Sequence, residues 1–388
     1  MNSSLKRLMA ACIVAICLVS IYSNSMAGNY TWTGSTSSAW NTATNWSPSG
    51  VPGTNDTVTI GSGSDTILLA DNITINRLIM SGRVINVGGK QLTIAQRASL
   101  NGGKIYNGKL LLNGTYAFFQ GANIGCNIVC IVNQIKLSGG TFDGVCSFEH
   151  NGSANGWGEG GCVFNDSVKI KSSGTSYLRL GQSSGDTFNG PVEFISTGTY
   201  PMQVAFHDST IFKKPVRINS TSGGISFCSD TTGQAAVFQE EAYLLAGSTG
   251  ITGGTITLKN FHQETTNTIS ITAGGTALIT VVGSTFNGKV TISSPGILSK
   301  SSTYNDSTTF TRTANNTTAY QFDGGNIFNG VFTLTSTNTS SGVVRMANKT
   351  GDKYNADEIK FIKMRLFEIA SEWDTIEYTL QNEEFWYF

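Results

Sequence analysis

Three histidines, seven cysteines and 25 acidic residues are the groups that could act as bases, nucleophiles or metal ligands in this 388-residue chain. His150, His207 and His262 lie far apart, and no His-Glu-x-x-His zinc helix, Gly-x-Ser-x-Gly elbow or phosphate loop accompanies them. Asp166, Glu240 and Asp306 each follow an aromatic residue by two positions, but nothing brings two of them to acid/base spacing, so they read as solvated turn residues. Cys126 and Cys130 have the spacing of half a zinc site with no second pair at ligand spacing. The residues therefore predict no catalytic constellation, no metal and no cofactor. What remains is aromatic. Trp32, Trp40 and Trp46 form one cluster, and Trp157 stands in Gly156-Trp157-Gly158-Glu159-Gly160-Gly161, preceded by Glu149-His150. Indole rings stack on the C–H faces of sugars, which makes these four tryptophans the candidate binding residues. A plainer role is preferred for each: a plug over the first coil for the three, and a flexible turn with the ring folded down for Trp157.

The elements that would carry these residues are set by composition. Only 13% of the chain is charged, against about 25% in ordinary soluble domains. Gly, Ser, Thr and Asn take the place of the charges. Gly loses most entropy on ordering, and Ser, Thr and Asn compete for backbone hydrogen bonds, so a helical bundle or doubly wound α/β enzyme is excluded. With 39% hydrophobic residues the chain is too apolar for a disordered linker. A formal net charge of zero offers no basic face for nucleic acid.

A phrase recurs: Thr187-Phe188-Asn189-Gly190, Thr285-Phe286-Asn287-Gly288 and Ile327-Phe328-Asn329-Gly330. Weaker copies centre on Phe142, Phe164, Phe212, Phe238, Phe261 and Tyr304, giving a mean period of roughly 23 residues, in the range of solenoids and arrays. Apolar residues four and six positions beyond the aromatic, as in Val168/Ile170 and Val192/Phe194, have the period-2 alternation of strands. Asn-Gly is expected to supply the positive φ of a sharp turn. The period is too short for a propeller blade and fits one coil of a parallel β-helix, with the recurrent Phe stacked inside. Antiparallel hairpins are the alternative. Short strand phrases from Val58 to Leu112 read as earlier coils, for roughly 12 coils and about 60 Å at the strand spacing.

The ends differ. Lys6-Arg7, the apolar Leu8 to Tyr22 and Ser25-Met26-Ala27 read as a secretory signal over residues 1–27, too short for a membrane helix, leaving no transmembrane helix in the mature chain. Its removal leaves Cys126, Cys130, Cys146, Cys162 and Cys228, expected as small buried hydrophobes with at most one bridge. Residues 28–60 form a Trp-rich cap and residues 61–350 the repeats. After Tyr354 the charges Glu358 and Lys360 fall where apolar groups are needed, so the coil register is expected to stop. Residues 351–388 form a charged segment with an amphipathic helix from Ala356 to Trp373.

The pattern Trp32-x-Gly34, Trp40, Asn45-Trp46, Pro52, Asp56, Val58, Ile60 resembles the N-terminal motif of bacterial secreted and cell-surface β-helix proteins, adhesin-like and autotransporter-passenger-like. The likeness covers roughly residues 29–345. It implies an extended secreted or surface protein and no particular reaction. The expectation is an all-β, right-handed parallel β-helix of about 24-residue coils with a short C-terminal helix. It is a monomeric structural or adhesive protein, not an enzyme, whose partner is an extracellular polysaccharide or cell-surface glycan. The alternative is a carbohydrate-active lyase or hydrolase, or its binding part.

Overall fold

The computed structural model describes residues 27–206, 209–228, 236–313, 320–336, 344–345, 351–355, 359–362 and 377–378. The chain winds as a parallel β-solenoid. From Thr141 onward each turn supplies three short strands, and each pairs in parallel with the third strand that follows it. Three ladders result. The aromatic ladder begins with Thr141–Phe142, Val163–Phe164 and Thr187–Phe188. The aliphatic ladder begins with Cys146–His150, Val168–Ser172 and Val192–Ser196. The third ladder begins with Gly156–Gly160, Leu178–Arg179 and Met202–Val204. Strands alternate buried and part-exposed residues, as in Cys146–His150, because each ladder has one face in the core and one in water. In the N-terminal half the strands run longer, through the corners, as in Lys104–Gln120 and Asn123–Ser138. There the register Thr57↔Arg77↔Arg97↔Tyr116↔Gln134 advances by shorter steps than the phenylalanine repeat further on.

The Phe-Asn-Gly phrase has three separate jobs. Phe142, Phe164, Phe188 and Phe212 face one another in successive turns, with rings 4.9, 4.8 and 4.9 Å apart and tilted by 10° or less. That spacing is the strand spacing itself, so ring packing and backbone register reinforce each other. The asparagines form a second ladder outside the corner. Asn165 donates to Asp143 (2.7 Å), Asn189 to Asn165 (2.8 Å), Asn305 to Asn287 (2.8 Å), Asn329 to Asn305 (2.7 Å) and Asn355 to Asn329 (2.9 Å). The glycine differs from expectation: Gly190, Gly288 and Gly330 are absent from the residues at positive φ. They are glycine because the preceding turn passes too close. A Cβ on Gly190 would collide with the backbone of Asp166, and one on Gly330 with that of Asp306.

Two residues before the aromatic ladder, the chain leaves the third ladder and its backbone N–H needs an acceptor. Side chains of the next turn supply it inside the core. Asp186 Oδ1 accepts from the Cys162 N–H (2.9 Å) and Thr210 Oγ1 from the Asp186 N–H (3.3 Å). Further along, Ser284 accepts from Phe261, Ser302 from Ser284, Asn326 from Ser302 and Asp352 from Asn326. These buried polar groups are therefore satisfied by design of the stack, as burial requires.

Two sequence expectations are corrected. Phe261 is not in ladder register: Gln263 faces both Phe238 and Phe286, and Phe261 stands two residues earlier. Its ring nevertheless lies 4.6 Å from Phe238 and 5.5 Å from Phe286, which keeps the column filled. Nor does the register stop after Tyr354. Tyr354 stacks on Phe328 at 5.1 Å, and Ile359–Ile362 is a strand in which Ile359 faces Phe332 and Phe361 faces Leu334. One extra corner residue moves the apolar positions past Glu358 and Lys360. Within the helix expected over Ala356 to Trp373, those four residues are extended, and the rest lies outside the described residues.

The first coil is closed by the tryptophan cluster. Asn29–Trp32 pairs in parallel with Thr57–Ile60 and antiparallel with Trp46–Ser47. Trp32, Trp40 and Trp46 are buried, and Trp46 meets Trp32 and Trp40 edge to face at 4.9 and 4.8 Å. The Trp46 indole N–H donates to the Trp40 carbonyl at 2.8 Å, and that of Trp32 donates to Asp65 at 2.9 Å. Asn45 is buried and organises the loop above them, accepting from Thr36 and Ser37 and donating to Ala39. The Asp56 carboxylate accepts from the Gly28 and Gly53 N–H groups, both at 2.7 Å, which closes the motif on itself.

Candidate functional site

Of the four tryptophans singled out from the sequence, three have no free ring face. Trp32, Trp40 and Trp46 belong to the cap, and burial removes them from the binding set. Trp157 is different, and its surroundings are not a flexible turn. Gly156–Gly160 is a strand of the third ladder, with Trp157 paired to Lys136 on one side and Arg179 on the other and a bulge at Glu159, between the partners of Leu137 and Ser138. The glycines point inward where no side chain fits. A Cβ on Gly156 would lie 2.9 Å from Leu178 and 3.1 Å from the His150 ring, and one on Gly158 would lie 2.7 Å from the Leu137 carbonyl. The intervening positions, Trp157 and Glu159, are therefore turned out, half-exposed. Alternation of glycine with Trp157 and Glu159 is what turns the two side chains outward.

The turn beneath Trp157 is held from below. His150 is buried and its Nε2–H donates to the Ala154 carbonyl at 2.6 Å, which makes it the Nε2-protonated tautomer. Burial lowers its pKa, so the ring stays neutral. Asn133 Oδ1 accepts from the Ser153 N–H at 2.8 Å, and Gln134 donates to the Asn155 carbonyl at 3.1 Å. His150 is thus a positioning residue for the corner rather than a base. His262 pairs with Val237 on one side and Thr285 on the other in the aromatic ladder, and His207 lies outside the described residues.

Trp157 closes one end of a trough of about 690 Å³ that crosses successive turns. Each turn contributes a pair: Asn76 and Arg77, Gln96 and Arg97, Thr115 and Tyr116, Asn133 and Gln134, Ala154 and Trp157. The second members of the first four pairs are in strict register, one above another. The Arg97 guanidinium lies over the Tyr116 ring at 4.6 Å, and the Lys136 ammonium lies over Phe118 at 4.9 Å and Trp157 at 5.5 Å. Such contacts fix the long side chains against the rings and put a cation on one face of each. Burial lifts the Tyr116 phenol above its ordinary pKa although Arg97 opposes this, so it remains a neutral donor. Glu159 accepts from Ser183 (2.8 Å) and pairs with Lys136 (3.2 Å), which together hold its carboxyl below the usual range. The lining itself contains two guanidiniums, amides, a hydroxyl and two aromatic rings, with no carboxylate.

Beyond Trp157 the same outward column continues. Arg179 donates to Gln203 at 2.8 Å and sits over Tyr177 at 4.8 Å and Phe206 at 3.8 Å. Most of this surface leaves no periodic mark in the sequence because Arg77, Arg97 and Tyr116 lie in the shorter coils, before the phenylalanine repeat becomes regular. The signal was present as polar pairs, Asn-Arg, Gln-Arg, Thr-Tyr and Asn-Gln, each two positions ahead of a buried Leu78, Ala98, Ala117 or Ile135 at its first member.

Among the described residues no group of three or more His, Cys, Asp or Glu side chains could hold a metal ion, and no helix is long and apolar enough to cross a membrane. Cys126, Cys130, Cys146 and Cys162 are free and buried. Burial pushes the Cys126 thiol up to about 12, so it is chemically quiet. Searches against protein-family models, curated proteins and solved structures found no match to the chain.

Proposed function

We propose that this is a secreted or surface-displayed bacterial β-helix of structural or adhesive type, and that it binds a polysaccharide along the trough of the third ladder. The observation that carries the binding reading is the part-exposed Trp157, turned outward between Gly156 and Gly158, at one end of a trough that also holds Tyr116, four amides and two guanidiniums. Aromatic faces offer stacking area to sugar rings, and amides and guanidiniums offer hydrogen bonds to hydroxyls. The signal-like residues 1–27, together with the likeness of the tryptophan motif to surface proteins, support export. Right-handed winding, the hand that parallel crossovers take, belongs to the same reading, as do coils near 24 residues, which the register of Phe164, Phe188 and Phe212 supports. Activity of the lyase or hydrolase kind is the alternative, and it would use the same trough with Glu159, paired to Lys136 beside Trp157, as the candidate carboxylate.

Two measurements test this. Protease and antibody accessibility on intact cells reads location, and a protease-protected cytoplasmic protein refutes the export reading. A glycan screen with the wild type and Trp157→Ala reads binding. Retention of polysaccharides that is lost in the variant supports the trough. Depolymerisation of a bound polysaccharide, abolished by Glu159→Gln, replaces the adhesive reading with the enzymatic one.

A further inference from the structure

The trough is not chemically neutral, and its charges are spaced by the fold. Arg77 and Arg97 occupy the same register position on adjacent turns, both exposed, about 4.8 Å apart along the stack. Tyr116 follows on the next turn and Gln134 on the one after, and beside them Lys136, Trp157 and Arg179 succeed one another in the neighbouring column. Cations and aromatic rings therefore run along the axis at one residue per turn. Glu159 offsets Lys136 only, which leaves Arg77, Arg97 and Arg179 as the positive groups of the surface. An extended pyranose chain advances by a distance comparable to the strand spacing, so one sugar can meet one turn.

We propose that the ligand of this surface is an unbranched acidic polysaccharide of the uronate type, laid parallel to the axis of the stack. Its carboxylates meet Arg77 and Arg97 at one end and Arg179 at the other, with pyranose rings between them against Tyr116 and Trp157, on the ring faces that Arg97 and Lys136 do not cover. This rests on the polysaccharide reading above and adds the charge, the direction and the register of the ligand. A guanidinium binds a planar carboxylate through two parallel N–H groups, which a lysine does not. A neutral glycan would leave Arg77 and Arg97 without that partner. A double-stranded nucleic acid would use the same cations as phosphate contacts but would gain nothing from a sugar-stacking ring at Trp157.

Calorimetric titration of the full chain with oligogalacturonate, with its methyl ester and with neutral cello-oligosaccharide decides the matter. The acidic oligomer is expected to bind at least ten-fold more tightly than either neutral one, with affinity falling as salt rises. Arg77→Ala/Arg97→Ala and Trp157→Ala are each expected to lose at least ten-fold, while Lys169→Ala, on the aliphatic ladder, leaves binding unchanged. Circular dichroism of each variant checks that the fold is intact, and Arg97→Lys, which keeps the charge but not the planar guanidinium, is expected to recover only part of the loss. Equal binding of neutral and acidic oligomers overturns the charge inference and leaves the polysaccharide reading standing. Failure of all three glycans to bind overturns both. Binding of duplex DNA as tight as that of the acidic oligomer, and indifferent to Trp157→Ala, overturns the assignment in favour of a general polyanion site.

Discussion

Replacing Asp186 by Asn should stabilise the protein above neutral pH and leave it unchanged in acid. Asp186 is fully buried at the corner between the third and aromatic ladders, and its carboxyl is an acceptor for the Cys162 N–H. Burial raises its pKa from 3.8 to about 7. A shift of roughly three units corresponds to an upper bound of about 4 kcal/mol between protonated and ionised forms. Because the folded state holds this proton more tightly than the unfolded chain, stability falls as pH rises from about 4 to about 7 and is flat beyond. Asn keeps the acceptor oxygen and never ionises; the same internal position is occupied by Asn326 further along the stack. The difference between variant and wild type is therefore expected to be near zero at pH 4 and to grow to as much as about 4 kcal/mol at pH 8. Denaturant midpoints across this range measure it, and hydrogen exchange at the Cys162 amide reads the same quantity locally, where about 4 kcal/mol is roughly three decades in rate. Carboxylates held below their usual range, such as Glu159, act in the opposite sense and only at lower pH, and they cancel in the difference. A variant destabilised equally at pH 4 and pH 8 would show that the carboxyl does not titrate in this window and would refute the argument.

Phe188→Ala removes a ring stacked on both sides and should cost about 3–5 kcal/mol by thermal or chemical denaturation, whereas Phe188→Leu should cost much less. Gly190→Ala should destabilise by about 1–3 kcal/mol because the new methyl meets the Asp166 backbone. Gly61→Ala, with nothing near the added carbon, should be neutral or stabilising by up to about 1 kcal/mol, and equal effects of the two would sink the close-approach account. Asn45→Ala strips the cap loop of its acceptor and donor and should lower stability by about 2–4 kcal/mol, with light scattering expected to show association through the uncovered first coil.

The sequence carried the architecture well because a stacked fold writes its core in a repeated phrase. Phe142, Phe164, Phe188, Phe212, Phe286, Tyr304 and Phe328 could be aligned by eye, and they are the buried column. The meaning of the phrase was harder. Asn-Gly names a turn in local terms, but here the asparagine bonds to another turn and the glycine yields space to one. Such requirements come from residues about one coil away and leave no mark on the local pattern. Ile359 shows the same limit, since one extra residue in a corner is enough to make an apolar strand look interrupted. Of the trough, only Trp157 was legible. Arg77, Arg97 and Tyr116 look like isolated polar residues until the turns are stacked and their common register appears.

The corners and the ladders divide two kinds of change between them. Tyr354 keeps its place against Phe328 while the strand after it begins one residue late. Between Gly224 and Thr255, facing partners on adjacent turns, the chain makes a far longer excursion without displacing either neighbour. Length is thus absorbed outside the stack, and cross-section is conserved inside it. In evolutionary terms the molecule can lengthen by duplicating whole turns, or acquire new loops at its corners, as independent events. A ruler whose graduations are turns can be extended without recalibration, and a trough read at one group per turn would lengthen with it.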